Sequence, residues 1–192
     1  MLRMGALKAG ARALGVDDCP FVRGEDERTW LIGVLMRGGV VEKVLTTDVR
    51  VDGSDATQAV VSMHDEAGKE ARVIFTHGTV VAGFNPLNLR EIWERTGAPV
   101  VAVLERPPRW DLVRRAMMTH GLGENLRVLE ENPPYAPVAT PRGEIFCASV
   151  GLDRIELWEV VIRWQMESKI PEPLRLADLI GRSVIRLARR TL

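Results

Sequence analysis

Two cysteines, Cys19 and Cys147, are all that this chain has. They exclude a disulfide framework, and a reducing cytoplasm is the default compartment for such a sequence. No apolar run approaches the ~20 residues of a membrane span. The basic N-terminus, MLRMGALKAGARALG, lacks the uninterrupted apolar core of a signal peptide. Charge of one sign is also missing, since 26 Lys and Arg balance 26 Asp and Glu. The whole molecule therefore exerts no net pull on nucleic acid or membrane, and any nucleic-acid contact has to use a local basic patch. Internal repeats, low-complexity tracts and linkers are absent, so 1–192 reads as a single domain.

What is present is an ordinary globular composition, 46% hydrophobic and 27% charged. A domain of this length buries roughly 70% of its unfolded surface, enough for a sizeable core. The stretch Leu14 to Phe21, LGVDDCPF, organises the rest. Ala13 to Val16 reads as a short buried strand that delivers Asp17 and Asp18 to its carboxyl end, where Cys19 and Pro20 stop it. A carboxylate there is costly to desolvate unless a cation, a proton or a hydrogen-bond donor compensates it. Open α/β sheets put their working sites at such strand ends. An Asx-turn that only caps the next bend is the competing reading. Strand neighbours point to opposite faces, so Asp17 and Asp18 are not expected to ligate together.

Trp30 to Met36 is continuously apolar and of strand length. Arg37-Gly38-Gly39 signals a hairpin, and Val40 to Val51 reads as the return strand. Ser54 or Asp55 then caps a helix over 56–66, with apolar positions 56, 59, 60 and 63. Ala71 to Phe75 is a buried strand ending in Thr76-His77-Gly78. Residues 79–86 read as a loop, 87–96 as a helix capped by Asn85 or Asn88, and Pro99 to Leu104 as a parallel-sheet strand. A helix over 108–120 follows. Residues 126–142 hold four prolines and read as short edge pieces, and 144–150 as a strand or extended segment. Helices over 152–168 and 174–192 close the chain. Three meandering strands followed by alternating units predict an α/β mixed five-stranded sheet, antiparallel then parallel, with helices on both faces. That is the layout of a ribonuclease H-like core.

Five blocks add a family resemblance. GVDDCPF (15–21) looks like the first motif of endonuclease V, where a strand end supplies a metal-binding carboxylate. PEPLRLADLIGR (171–182) is similar to the C-terminal helix motif of that superfamily. MRGGVVEKVLTTDVRVDGSDAT (36–57), THGTVVAGFN (76–85) and TGAPVVAVLERPP (96–108) resemble a closer relative, the archaeal-type endonuclease dU family. The resemblance implies a metal-dependent endonuclease acting on deaminated, deoxyuridine-containing DNA, with magnesium or manganese as cofactor. It implies Asp17 as first metal ligand and Asp55 as second acid, with Asp52 competing. The family's third acid, in an aspartate-glycine pair, stands here as His77-Gly78. The tyrosine-containing wedge segment of endonuclease V is also missing, and the single tyrosine is Tyr135.

Magnesium takes hard oxygen ligands, which clustered carboxylates supply. Such ions activate water, stabilise the leaving oxygen and orient the phosphate. His77 in the third position replaces an anionic oxygen with a neutral nitrogen, which weakens a magnesium site and shifts preference toward manganese or another transition ion. Alternatively it is a general base, since His titrates near neutrality, or it marks lost catalysis. A plain turn residue bonded to backbone is the unremarkable reading. His64 and His120 lie near helix ends and read as solvated or as favoured there by the helix dipole. Cys19 reads as a small structural residue.

Arg175, Arg182, Arg186 and Arg189 share one face of the last helix, and Arg106, Arg109, Arg114 and Arg115 form a second cluster. Guanidinium groups there suit DNA phosphates, although basic helix faces are common without nucleic acid. Arg175 is equally suited to a structural ion pair, with Asp178 or an acid near the sheet. Most tryptophans sit at core positions, while Trp110 in PPRWDLVRR is expected near the mouth of the site as a stacking platform. The nucleic-acid candidates are thus Arg109, Trp110, Arg182 and Arg186. Three readings stay open: a nuclease for damaged DNA, a catalytically inactive nucleic-acid-binding protein of the same fold, and a small-molecule enzyme on it. Oligomeric state is not encoded in any feature read above.

Overall fold

β-branched and apolar runs build the sheet, and polar turns separate them. The computed structural model describes residues 10–191, with side chains through Arg186. Strands β1 (Arg12–Asp18), β2 (Arg28–Arg37) and β3 (Val40–Arg50) come first, then helix α1 (Ala56–Glu66) and β4 (Ala71–His77). Short strands β5 (Val80–Val81) and β6 (Asn85–Pro86) precede α2 (Leu89–Thr96) and β7 (Val100–Leu104). Helices α3 (Trp110–Thr119) and α4 (Gly123–Glu130) lead to β8 (Ala136–Thr140) and β9 (Gly143–Val150). Helices α5 (Arg154–Trp164) and α6 (Glu172–Thr191) follow.

The main sheet has the order β3-β2-β1-β4-β7-β9-β8. β1, β2 and β3 are an antiparallel meander, as expected, and β1, β4 and β7 run parallel. The five predicted strands are therefore all present and adjacent. The sheet is nevertheless seven strands wide, because β9 pairs antiparallel with β7 and β8 with β9. A central β1 with parallel β4 beside it brings the carboxyl ends of both strands to one edge.

Side chains alternate across the sheet with period two. Leu14, Val16, Leu31, Ile74 and Val100 face α1 and α2 and pack with Val60, Met63 and Ile92. Ala13, Ile32, Val73, Phe75 and Val101 face the other way and pack with Val160, Trp164, Leu174 and Ala177 of α5 and α6. Both faces are covered, as a ribonuclease H-like core requires.

Three local expectations need correction. Residues 79–86 are not a plain loop: β5 and β6 form a small hairpin through Gly83, whose φ of +85° suits glycine. Residues 123–130 are helical, although no side chain caps α4, because Leu126 and Leu129 pack with Met117 in a satellite core. His64 is buried rather than solvated, since it sits on the inner side of α1 with its Nε2 3.4 Å from the carbonyl oxygen of Ala71. Burial lowers its pKa. Of the proposed caps, Asn88 accepts the N–H of Glu91 for α2. Asp55 occupies the cap position of α1, but its side chain makes no cap bond there, and Asn85 Oδ1 accepts the N–H of Ala56 instead.

Candidate active site

Gly15 decides how the site is closed. A Cβ at that position would lie 2.2 Å from the carbonyl carbon of Pro173, so only glycine lets the start of α6 rest on β1. Further along, Gly181 passes Cys19, where an added Cβ would meet its Sγ at 3.2 Å. Eight helical residues rise about 12 Å and four strand residues about 13 Å, so α6 tracks β1 to its carboxyl end. Two of the sequence blocks, 15–21 and 171–182, are thus packed against each other. The helix delivers Asp178 and Arg182, one turn apart, to the place where β1 ends.

There a cleft of about 420 Å³ is lined by Asp17, Asp18, Cys19, Pro20, Phe21, His77, Asp178 and Arg182. Asp17 is only 3% exposed. Its Oδ1 accepts the N–H of Asp18 at 3.0 Å, and its Oδ2 lies 3.3 Å from Nδ1 of His77, which is 44% exposed at its side chain. Hydrogen bonding to Asp17 raises the pKa of His77 against the opposing effect of burial. Asp18 turns to the other face, where its Oδ2 accepts the N–H of Ala82 at 3.0 Å. Burial, then the charge of Asp17, pushes the Asp18 carboxyl up to about 6. Strand alternation therefore holds, but the cleft wraps round the strand end and both acids line it. Asp178 Oδ1 accepts from Nε of Arg182 at 2.6 Å.

Asp17, His77 and Arg182 thus come together as sequence candidates. Asp55 does not join them. It accepts from Asn85 Nδ2 at 2.6 Å and from the backbone N–H of Arg50, on the far side of the meander. Asp52 is also engaged elsewhere, accepting from Arg23 and from the N–H of Phe84. Arg109 is exposed at the start of α3, and Trp110 packs in the satellite core, 6.3 Å from the ring of Tyr135. Tyr135 donates to Thr79 Oγ1, and burial pushes its hydroxyl up to about 12. Arg186 is exposed on α6, and Arg189 lies outside the described side chains. Arg175 pairs with Glu172 at 2.6 Å rather than with Asp178. Cys19 is fully buried and its thiol is pushed up to about 11, which suits the structural reading.

Asp178 is the acid that sequence reasoning missed as a cleft residue. Its signal was the spacing of four to Arg182, a helical ion pair. The donor set, three carboxylates and one imidazole, is of the kind that magnesium or manganese takes. Among the described residues, however, no three His, Cys, Asp or Glu side chains are spaced to hold an ion as they stand.

The family model for endonuclease dU matches residues 9–185. The chain belongs to the endonuclease dU family. The UPF0215 protein of Methanothermobacter thermautotrophicus is 34% identical over 184 residues, covering 93% of this chain and 89% of that protein. A crystal structure of a protein of unknown function from Archaeoglobus fulgidus superposes with a TM-score of 0.80 at 27% identity, over 91% of this chain and 98% of that one. Ciona intestinalis endonuclease V, solved with a 24mer DNA containing an inosine followed by a ribo-adenosine, gives a TM-score of 0.61 at 12% identity, over 95% and 88% of the two chains. This endonuclease dU family member therefore has the fold of endonuclease V, a nuclease fold. Among the described residues no helix is long and apolar enough to cross a membrane.

Proposed function

We propose that this protein is an endonuclease that hydrolyses phosphodiester bonds in DNA at deaminated bases, deoxyuridine first among them, with magnesium or manganese as cofactor. One observation carries the reading: Asp17, Asp18, His77, Asp178 and Arg182 line a single cleft at the strand ends. Asp17 and Asp178 are the groups to hold a divalent ion, which when bound supplies an activated water and neutralises charge on the phosphate. Arg182 is the cation available to a phosphate oxygen. Asp17 occupies Nδ1 of His77, which leaves Nε2 to accept or return a proton in the cleft. Family membership and the endonuclease V fold support the choice of nucleic acid over a small molecule.

A second reading, a binding protein that has lost the chemistry, is favoured by the position of Asp55 outside the cleft. One assay separates them. End-labelled strands containing deoxyuridine or deoxyinosine are incubated with magnesium and separately with manganese, beside Asp17→Ala. Lesion-dependent cuts that vanish in the variant are the expected outcome. Retained binding without cutting under either metal moves the assignment to the binding protein.

A further inference from the structure

Phe21 is a large apolar ring in a wall of carboxylates and a guanidinium. It is half-buried, yet among the described residues it belongs to neither main core and not to the satellite core. Other rings are not available to it: Phe75 is in the core, Trp110 is in the satellite core, Phe84 lies under Arg23 at 4.5 Å, and the exposed Trp30 and Trp158 do not line the cleft. Phe21 is the one Phe, Tyr or Trp among the residues that line this cleft, where the imidazole of His77 is engaged by Asp17.

Its backbone is held from both sides. The N–H of Cys19 donates to the carbonyl of Trp30 at 2.7 Å, and Thr29 Oγ1 donates to the carbonyl of Cys19 at 3.0 Å. Pro20 restricts φ just before the ring. Just after it, the N–H of Val22 donates to Asp26 Oδ2 at 2.6 Å, and the N–H groups of Glu25 and Asp26 return to the carbonyl of Val22. A ring on a fixed backbone loses little freedom on contact, because only two side-chain torsions remain.

We propose that Phe21 is the stacking platform for a nucleobase of the DNA strand whose phosphate Arg182 receives. The inference rests on the nuclease reading above and adds to it a residue for substrate binding. Every base has a π-face, so such stacking raises affinity without choosing the base. Phe21 therefore holds the strand, and recognition of the lesion lies with other groups.

The test is fluorescence anisotropy of labelled single-stranded DNA on the full chain, with calcium in place of magnesium. Phe21→Leu is expected to weaken binding roughly tenfold, the order of one lost base stack. The loss is equal for strands carrying deoxyuridine, thymidine or deoxyinosine, and Phe21→Tyr restores affinity. Removing a single base from the strand at the stacked position abolishes the difference between wild type and Phe21→Leu. Thermal denaturation of each variant reads the fold independently. Wild-type affinity in Phe21→Leu overturns the stacking and leaves the nuclease reading intact. A loss that persists on a strand with all bases removed also overturns it, because the ring then acts through the protein. Failure of the wild type to bind any strand overturns both.

Discussion

Asp17 and Asp18 are neighbours with opposite surroundings, and the difference is measurable. Asp17 has the imidazole of His77 against it, while Asp18 has one backbone N–H from Ala82 and the repulsion of Asp17. The Asp18 carboxyl is pushed up to about 6, above its unfolded value. Its protonated form is the one the fold prefers, so its contribution is full below ~3.9 and is lost as pH rises through about 6. Asp18→Asn is therefore expected to be more stable than wild type at pH ~8, with the difference fading by pH ~4. Urea midpoints at both pH values check this, and a variant less stable at the higher pH means that the Ala82 bond outweighs burial. His64 has the reverse sign. Burial lowers its pKa, so its contribution is full above ~6.5 and is lost as pH falls through the folded value. His64→Leu should gain on wild type as the buffer moves from pH ~7 to ~5. A constant difference across that range refutes the assignment. Its Nδ1 is buried without a hydrogen-bond partner among the described residues, which makes the charged form still harder to accommodate.

At the scale of elements, the contact of α6 with β1 carries both stability and geometry. Gly15→Ala would set a methyl group on the backbone of Pro173 and Leu174, which cannot yield as a flexible side chain does. The expected cost is roughly 1–3 kcal/mol of overpacking. It is also expected to displace Asp178 and Arg182, so that cleavage falls more than stability predicts; denaturant titration and single-turnover cleavage on the same sample compare the two. Much of this level was legible in advance. The buried run 13–16, the 3.6-residue spacing of 56, 59, 60 and 63, and the glycine after 37 each state a local preference that the fold obeys. α4 was not legible in the same way. Leu122, Leu126 and Leu129 have helical spacing, but the prolines that follow outweighed it, and the helix has no side-chain cap. Tertiary bonds hold it instead, for Asn125 Nδ2 donates to the carbonyls of Gly53 and Phe84. Asp55 was misplaced for a related reason. A cap position says where a helix starts, but not that Asn85 reaches across and takes over the capping.

For the molecule as a whole, balanced charge bears on how the proposed DNA substrate would be met. With 26 cationic and 26 acidic residues there is no global attraction, and the electrostatic part of the affinity has to come from local groups, of which Arg182 is the guanidinium that lines the cleft. Binding should therefore depend only shallowly on salt, and Arg182→Gln should reduce the slope of log K against log salt by about one. A slope unchanged in that variant removes Arg182 from the phosphate contact. The sequence carried the order of the strands well because each is an apolar run bounded by turns. It carried the cleft less well, since Asp178 and Asp17 are far apart along the chain and only the seating of α6 unites them.

That seating has a consequence for synthesis. A chain emerging N-terminus first presents Asp17 and His77 long before Asp178 and Arg182 exist. Until α6 docks, the cleft lacks the wall that Asp178 and Arg182 supply. A polypeptide cut short ahead of α6 lacks Asp178 and Arg182, and it also lacks the Leu174 and Ala177 that pack with Ala13 and Ile32 of the sheet. On the proposed function, a partial product lacks one wall of the cleft, and cutting is expected only from chains in which α6 has docked.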